Sequence, residues 1–417
     1  MYNDRKFTPR NSPRPYSGGS SRNSPRGNGF GGNRGGGGGR SRQRFGSKID
    51  HAQYVRKISD LPKFEEEKIE NSFDDFKLDA QLRKNIEAKG FDIPTPIQSK
   101  CIPLIIEKRD VIGLAGTGTG KTGAFLIPLV NAALLDKNQK TLIIAPTREL
   151  ATQIHKEFLY LVRNTRVYAA LCIGGESMTR QRYAISKRPQ FIIATPGRLL
   201  DHSRTRVINL SEYNNIVLDE VDVMFDMGFI EDIKYVISML PENRRMLFFS
   251  ATMNPKIERL AQSILRNPVK ISVRASTASE LVDQDVVKFK DKEDKFKKLN
   301  EILVTDEQIK VIIFVNTKIS VDDLKKKLMF NNIQSESIHG DKRQNERRRA
   351  IENFSAGRVK ILVATDVAAR GLDIQNVSHV INYDEPSDYQ NFIHRIGRTG
   401  RAGKLGKALT FIPHMNY

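Results

Sequence analysis

Short apolar runs alternate with amphipathic stretches along most of this chain, from Phe73 to the carboxyl end. Runs rich in Val, Ile and Leu are typical of buried strands, and the stretches between them repeat apolar residues at helical spacing, as in Leu150–Phe158. This alternation predicts parallel β-sheets covered by helices. The predicted strands are Val111–Leu114, Leu142–Ala145, Val167–Ile173, Phe191–Ala194, Ile216–Leu218, Met246–Ser250, Val311–Val315, Ser335–Ile338, Ile361–Ala364, Val377–Asn382 and Ala408–Phe411.

The predicted strands form two series, and the stretch 271–290 between them has a less regular pattern. We therefore predict two tandem α/β domains with parallel sheets, at 73–270 and 283–417, joined by a linker over 271–282. Residues 51–72 mix positive and negative charges without a clear period, so they are predicted to be a second linker.

The first 50 residues differ from the rest in composition. They hold 11 Lys and Arg against two Asp, a net charge of +9, together with 12 of the 29 glycines. Such a stretch buries too little apolar surface to offset the entropy of ordering, so a disordered basic tail rich in Gly, Arg and Ser is predicted. Its arginines suit phosphates and its sparse aromatic residues suit stacking on bases. A merely solubilising tail is the alternative.

The whole chain carries a formal net charge of +20, which predicts a polyanionic partner, most simply nucleic acid. Its apolar runs are much shorter than the ~20 residues that a membrane span needs, and no signal peptide pattern is present. Only Cys101 and Cys172 occur, outside any Cys/His cluster, which argues against a disulfide scaffold or a cysteine-based zinc module. A reducing, cytoplasmic location is predicted.

A glycine-rich loop joins the first predicted strand to a helix predicted over 122–133. This pattern is a P-loop with alanine at its first position; its backbone N–H groups would surround phosphates. Lys121 is expected to reach the β- and γ-phosphates, and Thr122 to place its hydroxyl on Mg²⁺. A dinucleotide-binding turn fits worse, because the glycine spacing differs from GxGxxG. The loop residues are Ala115, Gly116, Thr117, Gly118, Thr119, Gly120, Lys121 and Thr122.

Two carboxylates follow the apolar strand Ile216–Leu218, about a hundred residues after the P-loop. Since ligands collect at the carboxyl ends of parallel strands, both motifs are expected to meet there. Asp219 would hold Mg²⁺, partly through water, and Glu220 would orient and activate the attacking water. An acidic strand end alone is more often a solvated turn, but its position after this P-loop favours catalysis.

Taken in order, these motifs resemble those of DEAD-box RNA helicases, over residues 71–413. The resemblance includes a Q motif at Gly90–Gln98 with Phe73 upstream, and it implies two RecA-like domains that bind ATP. Gln98 would then pair with N6 and N7 of adenine, and Phe73 would stack on the base. By itself, Phe73 would be a core residue, as is expected of Phe76.

The resemblance also implies RNA contacts at loops that follow predicted strands. Backbone N–H groups and short hydroxyls at these loops can bind phosphates, although they also read as helix N-caps and turns. Gln344 and Arg347 match a weaker family motif, while Arg348 and Arg349 are expected to form a solvated helix face. The implied RNA-binding residues are Pro146, Thr147, Arg148, Gly175, Thr195, Pro196, Gly197, Arg198, Thr365 and Arg370.

The second domain has no P-loop after its first predicted strand, so it is expected to act on the first domain's site in trans. By resemblance, Arg398 and Arg401 are arginine fingers on the γ-phosphate, with a basic RNA-binding patch as the alternative. Gly371 and Asp373 would contact the nucleotide. The residues implied to couple ATP chemistry to RNA are Asp222, Ser250, Thr252 and His394.

Two features depart from the family pattern. Val221 stands where the family has alanine, giving Asp-Glu-Val-Asp; small packing effects are expected, and reduced turnover is possible. The chain also stops at Tyr417, where the family usually continues with a further helix, so the expectation is either a second domain that lacks one covering element or a sequence that is a fragment of a longer one.

The resulting prediction is an ATP-dependent RNA helicase that closes two domains around single-stranded RNA. Two alternatives are an RNA-binding or annealing protein with weak ATPase activity, and an ATP-driven DNA translocase. Preference for RNA would come from 2′-hydroxyl contacts. A monomer is the family default, with ribosome-assembly or RNA-decay proteins as possible partners.

Overall fold

The described part of the molecule contains two parallel β-sheets covered by helices. The predicted fold class is confirmed, with seven strands in one sheet and six in the other, and every recorded strand pairing is parallel. The predicted tail lies outside the described residues, apart from Asp50. The computed structural model describes residues 50–57, 69, 71–116, 118–273, 281–305, 310–369, 374, 376–400 and 404–414.

The first sheet has the order β3-β4-β2-β5-β6-β1-β7, with the strands defined as β1 (Val111–Leu114), β2 (Thr141–Ile144), β3 (Ala169–Cys172), β4 (Phe191–Ala194), β5 (Asn215–Leu218), β6 (Arg245–Ser250) and β7 (Val269–Ser272). Val111 belongs to the apolar cluster on one face of the sheet and Ile112 to the cluster on the other. Helices cover both faces, which explains the continuous apolar runs in the sequence. These helices are α1 (Ala80–Ala88), α2 (Pro96–Ile106), α3 (Lys121–Leu135), α4 (Arg148–Leu161), α5 (Met178–Ser186), α6 (Pro196–Arg204), α7 (Val221–Asp226), α8 (Ile230–Ser238) and α9 (Pro255–Ile264).

The register of the first sheet brings the candidate motifs to one edge. Leu114 is opposite Ser250, and Ile144 is opposite both Ala194 and Leu218. Because these strands are parallel and end at the same level, the loops that follow them lie side by side at the carboxyl edge of the sheet.

The second sheet has the order β10-β11-β9-β12-β13-β8, with the strands defined as β8 (Val282–Phe289), β9 (Val311–Phe314), β10 (Glu336–Ile338), β11 (Ile361–Ala364), β12 (His379–Asn382) and β13 (Gly406–Pro413). Two apolar clusters again lie on its two faces, with Ile313 in one and Ile312 in the other. Its helices are α10 (Lys292–Thr305), α11 (Lys318–Phe330), α12 (Gln344–Ser355), α13 (Asp366–Ala369) and α14 (Tyr389–Ile396).

The sequence prediction missed both strands near the junction of the two sheets. The stretch 271–290 was interpreted as irregular, but it contains the end of β7 and all of β8. Both are edge strands, and β7 alternates half-buried with exposed residues. An edge strand with one solvent-exposed face lacks the continuous run of apolar residues by which the central strands were recognised.

The predicted linker 51–72 is wrong in its first part. A short 3₁₀ helix spans His51–Tyr54, and Arg56 forms an antiparallel bridge with Gln284 of β8. This segment is therefore packed on the second sheet. No helix within the described ranges is long and apolar enough to cross a membrane.

Candidate functional site

The P-loop lies at the carboxyl edge of the first sheet, between β1 and α3. Gly118 and Gly120 have φ angles of +81° and +94°, which glycine adopts readily and other residues rarely do. Lys121 is the first residue of α3, and its Nζ donates to the carbonyl oxygen of Ala115 at 2.9 Å. The loop thus curls around its own lysine, at a helix N-terminus that suits a phosphate.

The remaining loop residues complete this turn. The Thr119 hydroxyl donates to the carbonyl oxygen of Gly116 at 2.8 Å. Thr122 is the second residue of α3 and is half-buried. Thr117 lies outside the described residues.

Gln98 connects the Q motif to the P-loop. Its side-chain oxygen accepts from the backbone N–H of Thr95 at 3.0 Å, and its Nε2 donates to the carbonyl oxygen of Gly120 at 3.1 Å. A Cβ on Gly120 would lie only 2.6 Å from the Thr95 hydroxyl, so glycine is required by close packing as well as by φ. The structure therefore joins Gln98 to the loop, and its pairing with adenine stays a prediction.

Phe73 lies in the core of the first domain. Its ring meets that of Phe76 edge-on, with centroids 6.0 Å apart, and the Arg83 guanidinium lies 5.9 Å from the ring centre. Phe73 is 0% exposed. Since no face of the ring is open here, stacking on a base would require local opening, and that role stays a prediction.

The acidic turn after β5 lies close to the P-loop lysine. Asp219 is 2% exposed, and its Oδ1 accepts from the backbone N–H of Glu220 at 3.0 Å. Burial raises the pKa of Asp219 to about 7, an effect opposed by the positive charge of Lys121 and reinforced by the negative charge of Glu220. A cation beside this desolvated carboxylate would stabilise its charged form.

Glu220 adopts an unusual backbone conformation. Its φ and ψ of +52° and +56° place it in the left-handed region at the start of α7, which is costly for a residue with a Cβ. Such strain is concentrated at functional sites, where the surrounding structure maintains it. Next to it, Val221 is 1% exposed within an apolar cluster, so the extra bulk relative to alanine is accommodated in the core.

Asp222 connects the acidic turn to the Ser250–Thr252 segment after β6. Its Oδ2 accepts from the N–H groups of Ala251 and Thr252 at 3.1 and 3.0 Å, and from the Thr252 hydroxyl at 3.2 Å. The Ser250 hydroxyl donates to the Thr252 carbonyl oxygen at 2.7 Å, while the Ser250 carbonyl accepts from the N–H of Ala115 at 3.2 Å. One network thus contacts both the acidic turn and the P-loop.

The same network reaches the second domain through α14. Gln390 Nε2 donates to the Thr252 hydroxyl at 3.0 Å. Arg398 follows the end of α14, is 6% exposed, and donates from Nε to the carbonyl oxygen of His394 at 3.3 Å. His394 itself is half-buried on α14. Sequence reasoning missed Gln390, because nothing in a polar helix position marks a partner 138 residues away.

The implied RNA-binding loops of the first domain also lie at the carboxyl edge. Thr147 caps α4 by accepting from the N–H of Leu150, and Thr195 precedes α6, which Pro196 begins. Arg148 packs against Gly175, where a Cβ would lie 2.6 Å from its Nη1. This geometry is compatible with a role of these residues as helix N-caps and also with close approach of their backbone to a phosphate.

The other implied RNA-binding residues of the first domain differ in exposure. Pro146 is buried, whereas Gly197 is exposed and has open space at its Cα. Arg198 is half-buried, and its guanidinium donates to the side-chain oxygen of Gln181 at 3.0 Å.

A buried ion pair connects the two domains beside these loops. The Nε and Nη2 atoms of Arg347 on α12 each lie 2.9 Å from one carboxylate oxygen of Glu149 on α4. The side chains of Arg347 and Glu149 are 8% and 4% exposed. Gln344 donates to the same carboxylate at 3.4 Å and accepts from Arg148 at 3.4 Å. We call Glu149, Gln344 and Arg347 the clasp. The sequence marked the α12 residues, and Glu149 only as part of the loop motif 146–150; its pairing with Arg347, 198 residues further on, was not predicted.

The structure describes some, but not all, of the other residues predicted to act in the second domain. Thr365 follows β11 and is 9% exposed. Arg348 and Arg349 are exposed, as expected for a solvated helix face. Arg370, Gly371, Asp373 and Arg401 lie outside the described residues.

The residues present fit a magnesium-bound nucleotide. Among the described residues, no group of three or more His, Cys, Asp or Glu side chains could hold a metal ion by itself. Mg²⁺ at nucleotide sites usually takes one or two protein ligands, together with phosphate oxygens and water. The buried Asp219 carboxylate and the Thr122 hydroxyl are donors of that kind.

Two family models match the chain. One, described as DEAD/DEAH box helicase, matches residues 95–260, and the other, described as helicase conserved C-terminal domain, matches residues 294–403. The first match spans β1 to β6 of the first sheet, and the second spans β9 to β12 of the second sheet.

Similar proteins carry both halves together. The ATP-dependent RNA helicase CshA of Listeria monocytogenes is 43% identical over 82% of this chain and 66% of its own length, and the Bacillus subtilis CshA is 44% identical over 82% and 69%. The chain thus spans about two thirds of these relatives. A structure of S. cerevisiae Dbp5 bound to RNA and ADP BeF3 is 32% identical, with a TM-score of 0.75 over 82% of this chain and 90% of that one. The chain belongs to the family of DEAD-box ATP-dependent RNA helicases.

Proposed function

We propose that this chain hydrolyses ATP when RNA binds, closing two domains around single-stranded RNA to unwind short duplexes or remodel RNA–protein complexes. The observation that carries the proposal is the hydrogen-bond path from Asp222 through Thr252 to Gln390. It connects the acidic turn beside the P-loop to the second domain, so the position of one domain and the state of the nucleotide site affect each other.

On the nucleotide side, Lys121 and the P-loop backbone bind the phosphates, while Gln98 and Phe73 contribute to adenine recognition. Thr122 and Asp219 hold Mg²⁺, partly through water; the ion would offset phosphate charge in the transition state. Glu220 orients the attacking water and accepts its proton. The proposed domain limits are 73–272 for ATP binding and 282–417 for the second domain, widened from the predicted 73–270 and 283–417 so that each includes the whole of its edge strand.

On the RNA side, the loops after β2, β3 and β4 grip the backbone, together with Thr365 and Arg370 of the second domain. Contacts of this kind position a strand without reading its sequence. The basic tail adds sequence-independent attraction. A structure of a related protein, Dbp5, contains RNA and ADP BeF3 together, which supports simultaneous binding of RNA and nucleotide by this chain.

Coupling follows from the division of both sites between two domains. ATP and RNA each contact both domains in this assignment, so each favours the closed form. Each ligand must then tighten the binding of the other by the same factor. Hydrolysis and release of phosphate remove this preference and reopen the domains.

The alternatives differ in how RNA and DNA affect ATP turnover. The expected result is ATP hydrolysis that is slow alone, strongly stimulated by single-stranded RNA, and weakly stimulated by DNA of the same sequence. A steady-state phosphate-release assay under the three conditions decides this. Equal stimulation by DNA would favour a DNA translocase, and RNA binding without stimulation would favour an annealing protein.

A second prediction concerns the clasp. In Arg347→Ala, closing the domains buries the Glu149 carboxylate without its partner. We expect the free energy of domain closure to become less favourable by about 2–3 kcal/mol. This is less than the loss for a pair buried within one domain, because water can enter between the two domains. RNA affinity measured by fluorescence anisotropy should then fall about 30- to 150-fold when an ATP analogue is present. Without nucleotide it should change little.

The matched control is Arg349→Ala on the exposed side of the same helix, which should behave as wild type. Pairing Glu149→Met with Arg347→Met should recover part of the loss, since no unpaired charge is then buried. An equal loss of RNA affinity with and without nucleotide would mean that Arg347 acts by direct RNA contact instead.

A further inference from the structure

A segment that precedes the first domain in sequence is docked on the second domain. We call residues 50–57 the strap. Asp50 caps its 3₁₀ helix by accepting from the N–H of Ala52 at 3.0 Å. Arg56 then pairs with Gln284 of β8 through two backbone hydrogen bonds of 3.0 and 2.8 Å. The strap thus adds one residue pair to the edge of the second sheet, where backbone groups offer a ready partner.

Tyr54 anchors the strap in an apolar cluster. It is 1% exposed and packs with Val282 of β8, Phe392 and Ile396 of α14, and two residues of β13. Its ring lies 4.9 Å from that of Phe392 at an angle of 58°. Within the described part of the chain, the Tyr54 hydroxyl has no hydrogen-bond partner, so the anchoring comes from the ring and phenylalanine should replace it.

A second contact lies just before α14. His51 Nε2 is 3.2 Å from the carboxylate of Glu385, and the His51 ring stacks over Tyr54 with centroids 6.0 Å apart. The backbone carbonyl of Glu385 accepts from Asn316, whose side-chain oxygen accepts from Arg395 of α14 at 2.9 Å. The strap therefore meets α14 at its inner face and at the turn that leads into it.

The helix that the strap covers carries the groups assigned to the ATP site. Gln390 near its start contacts Thr252, and Arg398 follows its end. α14 has only eight residues, and a helix of this length depends on packing rather than intrinsic propensity for its position. A missing Tyr54 ring would leave Phe392 and Ile396 without one of their covering groups.

We propose that the strap is a positioning element for ATP turnover: Tyr54 holds α14 so that Gln390 and Arg398 keep their places at the nucleotide site. This proposal rests on the role proposed above for Arg398. The strap touches neither nucleotide nor RNA in this assignment, so it acts on the rate of the closed complex and leaves ATP binding by the first domain unchanged.

The test uses the full chain with Tyr54→Ala, and measures kcat, KM for ATP and equilibrium ATP-analogue affinity at saturating single-stranded RNA. The expected result is a fall in kcat of about tenfold, equal to about 1.4 kcal/mol of activation free energy. KM and analogue affinity should stay within about twofold. Tyr54→Phe, which keeps the ring, and Lys234→Ala, at an exposed ion pair with Glu231 on α8 outside the strap, are the controls and should turn over as wild type.

Two further measurements separate positioning from a loss of folding. Thermal unfolding fixes an assay temperature well below the transition. Arg56→Pro removes the N–H that pairs with Gln284 while leaving the apolar cluster intact, so it should lower kcat in the same direction. In an Arg398→Ala background, Tyr54→Ala should cause a much smaller further fall in the residual rate, because one of the two groups that it positions is absent.

A wild-type kcat in folded Tyr54→Ala, or the same tenfold fall in the Arg398→Ala background, would overturn the strap's role. So would a Tyr54→Phe chain as slow as Tyr54→Ala. If instead the unaltered chain showed no RNA-stimulated hydrolysis, the proposed function itself would fail, and that result is seen before any variant is made.

Discussion

Replacing Arg398 with alanine is expected to lower RNA-stimulated ATP turnover by about 10³–10⁵-fold, the range observed for arginine groups that offset charge on a transferring phosphoryl group. Arg398 is 6% exposed and follows α14, whose Gln390 already contacts the first domain. A desolvated guanidinium interacts more strongly with developing charge than an exposed one does. Steady-state phosphate release at saturating ATP and RNA measures the effect.

ATP affinity of the Arg398→Ala chain should change little, because the P-loop and Gln98 belong to the first domain. Arg398→Lys should recover only part of the rate, since an ammonium cannot make the paired contacts of a guanidinium. If Arg398 is instead part of a basic RNA-binding patch, the alanine variant will lose RNA affinity and regain turnover at high RNA. That outcome would remove the arginine-finger assignment.

The central strands of both sheets were predictable because a parallel sheet covered on both faces needs apolar residues at every position. Phe191–Ala194 and Ile361–Ala364 were placed at their observed bounds for this reason. The edge strands β7 and β8 were missed, since partial exposure replaces that continuous run with weak alternation. The strap was missed too: a single buried tyrosine in a charged stretch produces no period.

The site was predictable in its layout and less so in its contacts. The rule that ligands bind at the carboxyl ends of parallel strands correctly suggested that Lys121 and Asp219 would lie together. The rule does not predict which side chains pair with one another across the two domains. Glu149 and Gln390 contact Arg347 and Thr252 only when the two domains pack together. A carboxylate that is buried by such packing cannot be recognised from the local sequence of its helix.

The acidic turn combines features that a sequence could and could not predict. Two carboxylates after an apolar strand mark a possible metal and water site. The left-handed conformation of Glu220 is visible only in three dimensions. It changes the direction of the chain between β5 and α7, so that Asp219 and Asp222 can serve different partners, the P-loop lysine and the Ser250–Thr252 segment.

Glu220→Gln is expected to reduce kcat by about 10²–10⁴-fold, the usual contribution of a positioned general base. Glutamine is the informative replacement, because it keeps the volume of the side chain and the same backbone cost in the left-handed region. The replacement removes the negative charge and, with it, the ability to take a proton. Binding of ATP and RNA should persist, and RNA should dissociate more slowly with ATP present, since the closed form can no longer be reopened by hydrolysis.

The matched control is Glu231→Gln, a carboxylate on α8 whose side chain is 83% exposed; it should leave kcat unchanged. Single-turnover hydrolysis and RNA dissociation rates, measured on the same preparation, separate the chemical step from binding. A Glu220→Gln chain that retained more than a tenth of the wild-type rate would shift the role of base to another group, such as Asp219, whose charge interacts with that of Glu220. RNA release as fast as in wild type, together with slow hydrolysis, would instead break the link between hydrolysis and reopening.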